Sequence, residues 1–273
     1  MNNDNKKKII IIALIILLIL LCIFIVKIKE KYKENKFASQ LVELYDNNKN
    51  PVFEINKIIL YSSSTAIDKS EEQTMQSVDV HQFTDIAIYI NNKKSIQNIE
   101  GKNTIKEIYI DDIKIEKNNL TGNEVINYKN SYLFGKYTDI QNYNDRIELD
   151  VILKNNQNED EKYEKPVFYT DCSNPITLGY INKNIIKDYK VTDKNVTLSL
   201  DGTILKNAKY DLNELNAKIK FNVHIKNNLD EEFITNVEID NSLESEDGGI
   251  YTGYIINISN VSYDFLELPK QTN

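Results

Sequence analysis

The chain has 273 residues and a formal net charge of −8. Eight lysines against three acidic residues give residues 1–36 a charge of +5, which leaves −13 for residues 37–273; so acidic a body repels phosphate backbones, which excludes nucleic acid as a partner. With only Cys22 and Cys172, the body has no internal disulfide and no Cys-x-x-Cys metal or redox motif.

Residues 1–8 form a basic tail ending in Lys6, Lys7 and Lys8. Ile9 to Val26 follows as 18 residues without a charge or a glycine. At about 1.5 Å per residue a helix of that length covers ~27 Å, close to the ~30 Å hydrocarbon thickness of a bilayer. The run predicts a transmembrane helix. It is too long for a secretory h-region, and a lysine-rich stretch follows where a small-residue cleavage site would stand, so it reads as an uncleaved signal anchor. Leu21 before Cys22 argues against lipidation. Long domains translocate largely regardless of flanking charge, which places the body outside the cell.

Residues 27–50 read as a helical stalk: lysine and glutamate interleave, and Phe37, Leu41 and Leu44 share one helical face before Pro51 ends it. Beyond Pro51 the period becomes two. Ile86, Ile88 and Ile90 alternate with polar or small residues; so do Ile147, Leu149, Val151 and Leu153, and Ile219, Phe221, Val223 and Ile225. One apolar and one wet face means antiparallel sheet. Each of these strands is expected to end in Asn-Asn, at 91–92, 155–156 and 227–228. Further strands are expected at Phe53–Tyr61, Thr104–Asp111, Val167–Asp171, Val196–Leu200, Phe233–Asp240 and Ile250–Ile258. The fold class is therefore an all-β antiparallel sandwich on the helical anchor. A boundary near Asn142–Asp145 gives two β-rich domains, 51–145 and 146–273. The repeated apolar alternation followed by Lys/Asn-rich turns resembles bacterial immunoglobulin-like accessory domains of cell surfaces. The resemblance implies adhesion, scaffolding or sensing and transfers no functional residue; the Cys…Trp…Cys pins of true immunoglobulin domains are missing.

Candidate chemistry is sparse. Cys172 in "FYTDCSNP" reads as a thiol at the end of a strand; as a nucleophile it would need His81 or His224 as base. "YSSSTA" (61–66) carries three serines without a nucleophile-elbow or Ser-x-x-Lys context and reads as a strand end entering a loop. The acidic stretches 155–164 and 240–249 offer oxygen ligands but do not fit the EF-hand template. Asp111-Asp112 reads as a strand-ending turn. Tyr89, Tyr109 and Tyr251 are expected where a sheet face would be exposed. No residue is assigned a catalytic, cofactor or metal role. The sequence thus describes a non-enzymatic binding or structural module of the cell envelope with a protein or wall-polymer partner; the alternative is a membrane-tethered hydrolase acting on envelope material.

Overall fold

The computed structural model describes residues 21, 24–33, 35–36, 38–39, 42, 51–69, 77–93, 101–117, 122–129, 136–155, 163–170, 174–191, 203–244 and 248–269. Two compact units divide the chain, residues 1–49 with Asn273, and Asn50–Thr272. In the first, the described residues are helical. Most of the apolar run Ile9–Val26 lies outside the described residues, and among these no helix is long and apolar enough to cross a membrane.

The second unit is built from two antiparallel sheets. Phe53–Asp68 (β1) and Ser77–Asn92 (β2) form a long hairpin. Ile105–Glu116 (β3), Glu124–Lys129 (β4), Thr138–Asp139 (β5), Ile147–Leu149 (β6), Ile152–Asn155 (β7), Tyr163–Pro166 (β8) and Ile176–Lys190 (β9) follow. A short helix, Thr203–Asn207 (α1), precedes Ala217–Asn227 (β10), Glu232–Asn241 (β11), Tyr254–Asp264 (β12) and Leu266–Glu267 (β13). The six-stranded sheet runs β12-β1-β2-β9-β4-β5 and the five-stranded sheet β13-β11-β10-β3-β6; β7 and β8 pair separately. Residues 51–145 and 146–273 both contribute strands to each large sheet, so the turn at Asn142–Asp145 lies inside this unit.

Alternation explains the sheets. In β2 every even-numbered residue from Val78 to Ile90 is buried, and in β10 every odd-numbered residue from Ala217 to Asn227. The inner faces, rich in isoleucine and phenylalanine, meet in one core that includes Ile55, Ile86 and Ile88 from the six-stranded sheet and Ile108, Phe221 and Val223 from the five-stranded one. A second cluster sits at one end, where Val78 and Val80 meet Leu205, Leu212, Leu243 and Ile250.

Between the clusters the inner face of the six-stranded sheet turns polar. The registers align Ser64, Gln82, Asn182 and Glu124 as one rung across β1, β2, β9 and β4. Ser62, Thr84 and Tyr180 form the next. Thr84 is the centre: its Oγ1 accepts from Gln82 Nε2 (2.8 Å) and Asn241 Nδ2 (3.0 Å) and lies 2.7 Å from Ser62 Oγ. At the end of the rung the Glu124 carboxylate meets Lys117 Nζ at 3.5 Å, with both side chains nearly inaccessible.

Several expected elements differ. "YSSSTA" lies inside β1, not at its end: Ser62, Ser63 and Ser64 are all buried rather than exposed in a loop, with Ser62 Oγ 2.7 Å from Thr84 Oγ1. β3 runs through Asp111-Asp112 to Glu116, absorbing the pair in a bulge opposite Lys220 and Asn222 at which Asp112 adopts φ 51°. The strand expected over 147–156 breaks after Leu149, and its second half pairs with β8. β8 ends at Pro166; Val167 N still donates to the Val151 carbonyl at 2.9 Å, and the Val167 and Tyr169 side chains turn into the core, where the Tyr169 hydroxyl donates to the Asp150 carbonyl at 2.9 Å. Residues 249–252 form a 3-10 turn bounded by Gly248 (φ 98°) and Gly253 (φ 134°), so β12 starts at Tyr254. Val196–Leu200 lies outside the described residues.

Candidate functional site: the outer face of the six-stranded sheet

The two outward faces of the sandwich differ in chemistry. On the five-stranded sheet, cations and carboxylates neutralise each other. Lys220 Nζ lies 2.9 Å from Glu116 and 3.5 Å from Glu238, and Arg146 lies 3.3 Å from Glu107 and 3.2 Å from Glu148. His224 is here, 3.1 Å from Asp111 and stacked on Tyr109 at 4.3 Å; Arg146 covers the other region of that ring at 3.7 Å. Such a face is a solvated surface, and each pair adds little stability.

The six-stranded sheet faces outward with isoleucine and aromatic groups. Tyr254, Ile256 and Ile258 of β12 are 57%, 50% and 61% exposed, and Tyr254 stacks on Tyr61 at 5.2 Å. Ile67 of β1 is half exposed. Large exposed apolar faces are uncommon on soluble domains and mark contact surfaces.

This face is concave over β1, β2, β9 and β4, where a groove of about 400 Å³ opens. Its apolar lining comes from Ile67, Phe83 and Ile181; His81, Asp85, Asn127, Tyr137 and Lys183 supply polar groups. Gly179 makes the hollow possible: a Cβ there would come within 2.1 Å of Asn127 Oδ1 and 3.2 Å of the Tyr137 ring. Asn127 is 4% exposed and its Oδ1 has no hydrogen-bond partner among the described residues. Tyr137 closes one wall, its hydroxyl donating to the Asp85 carboxylate while Lys129 sits 4.2 Å over its ring.

His81 stands at the opposite wall. Its Nδ1 accepts from the Asn184 backbone N–H at 2.8 Å, which assigns the proton of the neutral ring to Nε2. Asn184 can present that N–H because it adopts φ 55° in a bulge of β9. Burial pushes the His81 pKa below the ordinary 6.5; Asp79 opposes this and Lys183 reinforces it. Between the lowered folded value and 6.5 the unfolded chain binds more protons, so stability rises with pH there and is lost as pH falls through that window. Thermal melts should therefore fall from pH 7.5 to 5.5, and the slope should flatten in His81→Gln. Asp188, Asp230 and Glu238, held below the usual carboxylate range by lysine partners, act at lower pH.

The sequence-derived candidates do not converge. His81 and His224 occupy opposite outer faces of the sandwich. Cys172 and most of the acidic stretch 155–164 lie outside the described residues, as do residues 245–247 of the second acidic stretch. Among the described residues no group of three His, Cys, Asp or Glu could hold a metal ion. Tyr89 lies on the outer face of β2, half-buried, and Tyr109 on that of β3; Tyr251 is in the 3-10 turn, its hydroxyl donating to the Tyr210 carbonyl. The groove residues Gly179, Asn127 and Tyr137 escaped sequence reading because β4 and β9 did. In β9 the left-handed residues Asn184 and Asp188 interrupt the alternation that would have disclosed a strand. Comparison with known protein families, with characterised proteins and with solved structures found no match for this chain.

Proposed function

We propose that this is a single-pass, membrane-anchored protein of the cell envelope, whose immunoglobulin-like sandwich stands outside the cell on a helical stalk and acts as a non-enzymatic binding module. Its partner, a protein or wall polymer, docks on the outer face of the six-stranded sheet. The observation that carries the reading is the contrast between the two outer faces: one is covered by ion pairs, while the other, ion-paired at Lys69, Lys93 and Lys183, also carries an exposed apolar row and a groove. An apolar hollow with a few convergent polar groups is the common form of a recognition site. The anchor rests on the eighteen-residue apolar run, which has no reason to be apolar on every face except contact with lipid.

Photo-crosslinking in intact cells tests this. A photoreactive residue is placed at Ile67, on the groove rim, or at Asn236, on the outer face of β11. Discrete adducts at 67 and none at 236 are expected, with the adducts removed when intact cells are treated with protease. Equal labelling at both positions, or a body protected from the protease, overturns the reading.

A further inference from the structure

β12 is the longest of the four strands that stand at the ends of the two large sheets, and the stretches of β3 and β11 left uncovered by their short neighbours carry charges such as Asp112, Lys114, Glu238 and Asp240. β5, β6 and β13, which close the other three edges, have two, three and two residues. Short edge strands are a standard protection against pairing with another chain, as are charges and prolines. β12 has eleven residues, and from Tyr254 to Tyr263 it contains neither a charge nor a proline. One side of β12 pairs with β1; among the described residues no strand pairs with the other. At about 3.4 Å per residue it presents roughly 37 Å of unpaired backbone.

We propose that this edge pairs antiparallel with the β12 of a second copy, joining two six-stranded sheets into one. The strand's own sequence selects this occupant, because the uncharged stretch from Tyr254 to Tyr263 can be laid against itself without opposing like charges. Residues 37–273 carry −13, so two bodies repel over most approaches, and an uncharged strip is where like can meet like at least cost. A two-fold axis perpendicular to the sheet keeps outer face beside outer face, which requires opposed residues to share parity. With the axis at Ile258, that residue meets its own copy, Ile256 faces Asn260 and Tyr254 faces Ser262. Asp264 falls opposite Thr252, so no two carboxylates oppose each other. The exposed apolar row of β12 then continues from one copy into the next, and the arrangement is closed, as two-fold contacts are.

The register fixes the test. Directly opposed residues in an antiparallel pair have Cα atoms about 4.5–5.5 Å apart, within disulfide range. The full-length chain, solubilised in detergent with Cys22 and Cys172 replaced by serine, receives Ile258→Cys, Tyr254→Cys or Asn236→Cys. Diamide takes up the two electrons and two protons released by each thiol pair. A covalent dimer at 258, with at least tenfold less at 254 and 236, is expected. Ile258→Lys, which sets two ammonium groups against each other, should weaken self-association at least tenfold in sedimentation equilibrium. Circular dichroism checks that this variant folds; if it does not, the cysteine pattern alone decides. Overturning results are no dimer at 258, equal dimer at all three positions, a folded Ile258→Lys chain that self-associates as before, or capture at 258 of a different protein instead of a second copy.

Discussion

Replacing Phe53 by alanine should cost about 3–5 kcal/mol of folding stability, measured by urea denaturation of the full chain. Phe53 opens β1 and is wholly buried. Its ring meets Phe233 of β11 edge-on at 5.3 Å and Phe265, between β12 and β13, at 6.2 Å. One side chain therefore joins the first strand of the six-stranded sheet, a strand of the five-stranded sheet and the segment after β12. Truncation removes the apolar area, leaves a cavity that rigid strands fill poorly, and forfeits two aromatic contacts of about 0.5–1.5 kcal/mol each. For a body of this size the loss corresponds to roughly 10 °C in melting temperature. A loss below about 1 kcal/mol would mean that the two sheets do not depend on this junction. His81 pairs with Thr65, twelve residues along β1 from Phe53, so the groove is remote from the truncated ring and the unfolding transition should remain cooperative with a lower midpoint.

How far the fold was legible follows from which strands have one wet face. β2, β10 and β11 keep strict alternation because their outer residues are polar or half exposed, and their Asn-rich ends mark real strand ends at Asn92 and Asn227. At the second of these the Asn227 side chain accepts from Leu229 N at 2.9 Å and Glu231 N at 3.0 Å, holding the hairpin turn in which Asp230 adopts φ 59°. Alternation fails where the inner face is itself polar. The serines of β1 and Gln82, Thr84 and Asn182 look like surface residues, since hydrogen bonding across strands has no signature within one strand. The groove was less legible still. It depends on Gly179 beside Asn127 and on Tyr137 reaching Asp85, contacts between residues 52 positions apart in both cases. Asp111-Asp112 misled for another reason: two carboxylates resemble a turn, but a bulge can carry them through a strand.

The buried polar rungs give the second large effect, and it has two signs. Thr84→Val keeps shape but removes Oγ1, leaving Gln82 Nε2 and Asn241 Nδ2 without their acceptor and Ser62 with only its contact to Asn241 Oδ1 at 3.3 Å. Gln82 and Asn241 are fully buried. Each stranded donor costs about 1–3 kcal/mol, so the substitution should destabilise by about 2–4 kcal/mol. Asn182 is the converse. It is 1% exposed, and neither its Oδ1 nor its Nδ2 has a partner among the described residues. Asn182→Leu exchanges an unpaired amide for an apolar group of similar size and should stabilise by about 1 kcal/mol. The polar layer is thus divided between two adjacent rungs: Thr84 gathers hydrogen bonds across β1, β2 and β11, while Asn182 in the neighbouring rung carries the cost of a polar position between two apolar clusters. A buried polar layer that lowers stability can still fix register, because a two-residue slip of β9 in one direction would move Asn182 from Gln82 to Val80 and set its amide against hydrocarbon. Denaturation of the two variants side by side decides the point. Opposite signs support this division, whereas a destabilised Asn182→Leu chain would show that the amide is paired in solution and that the two rungs act as one network.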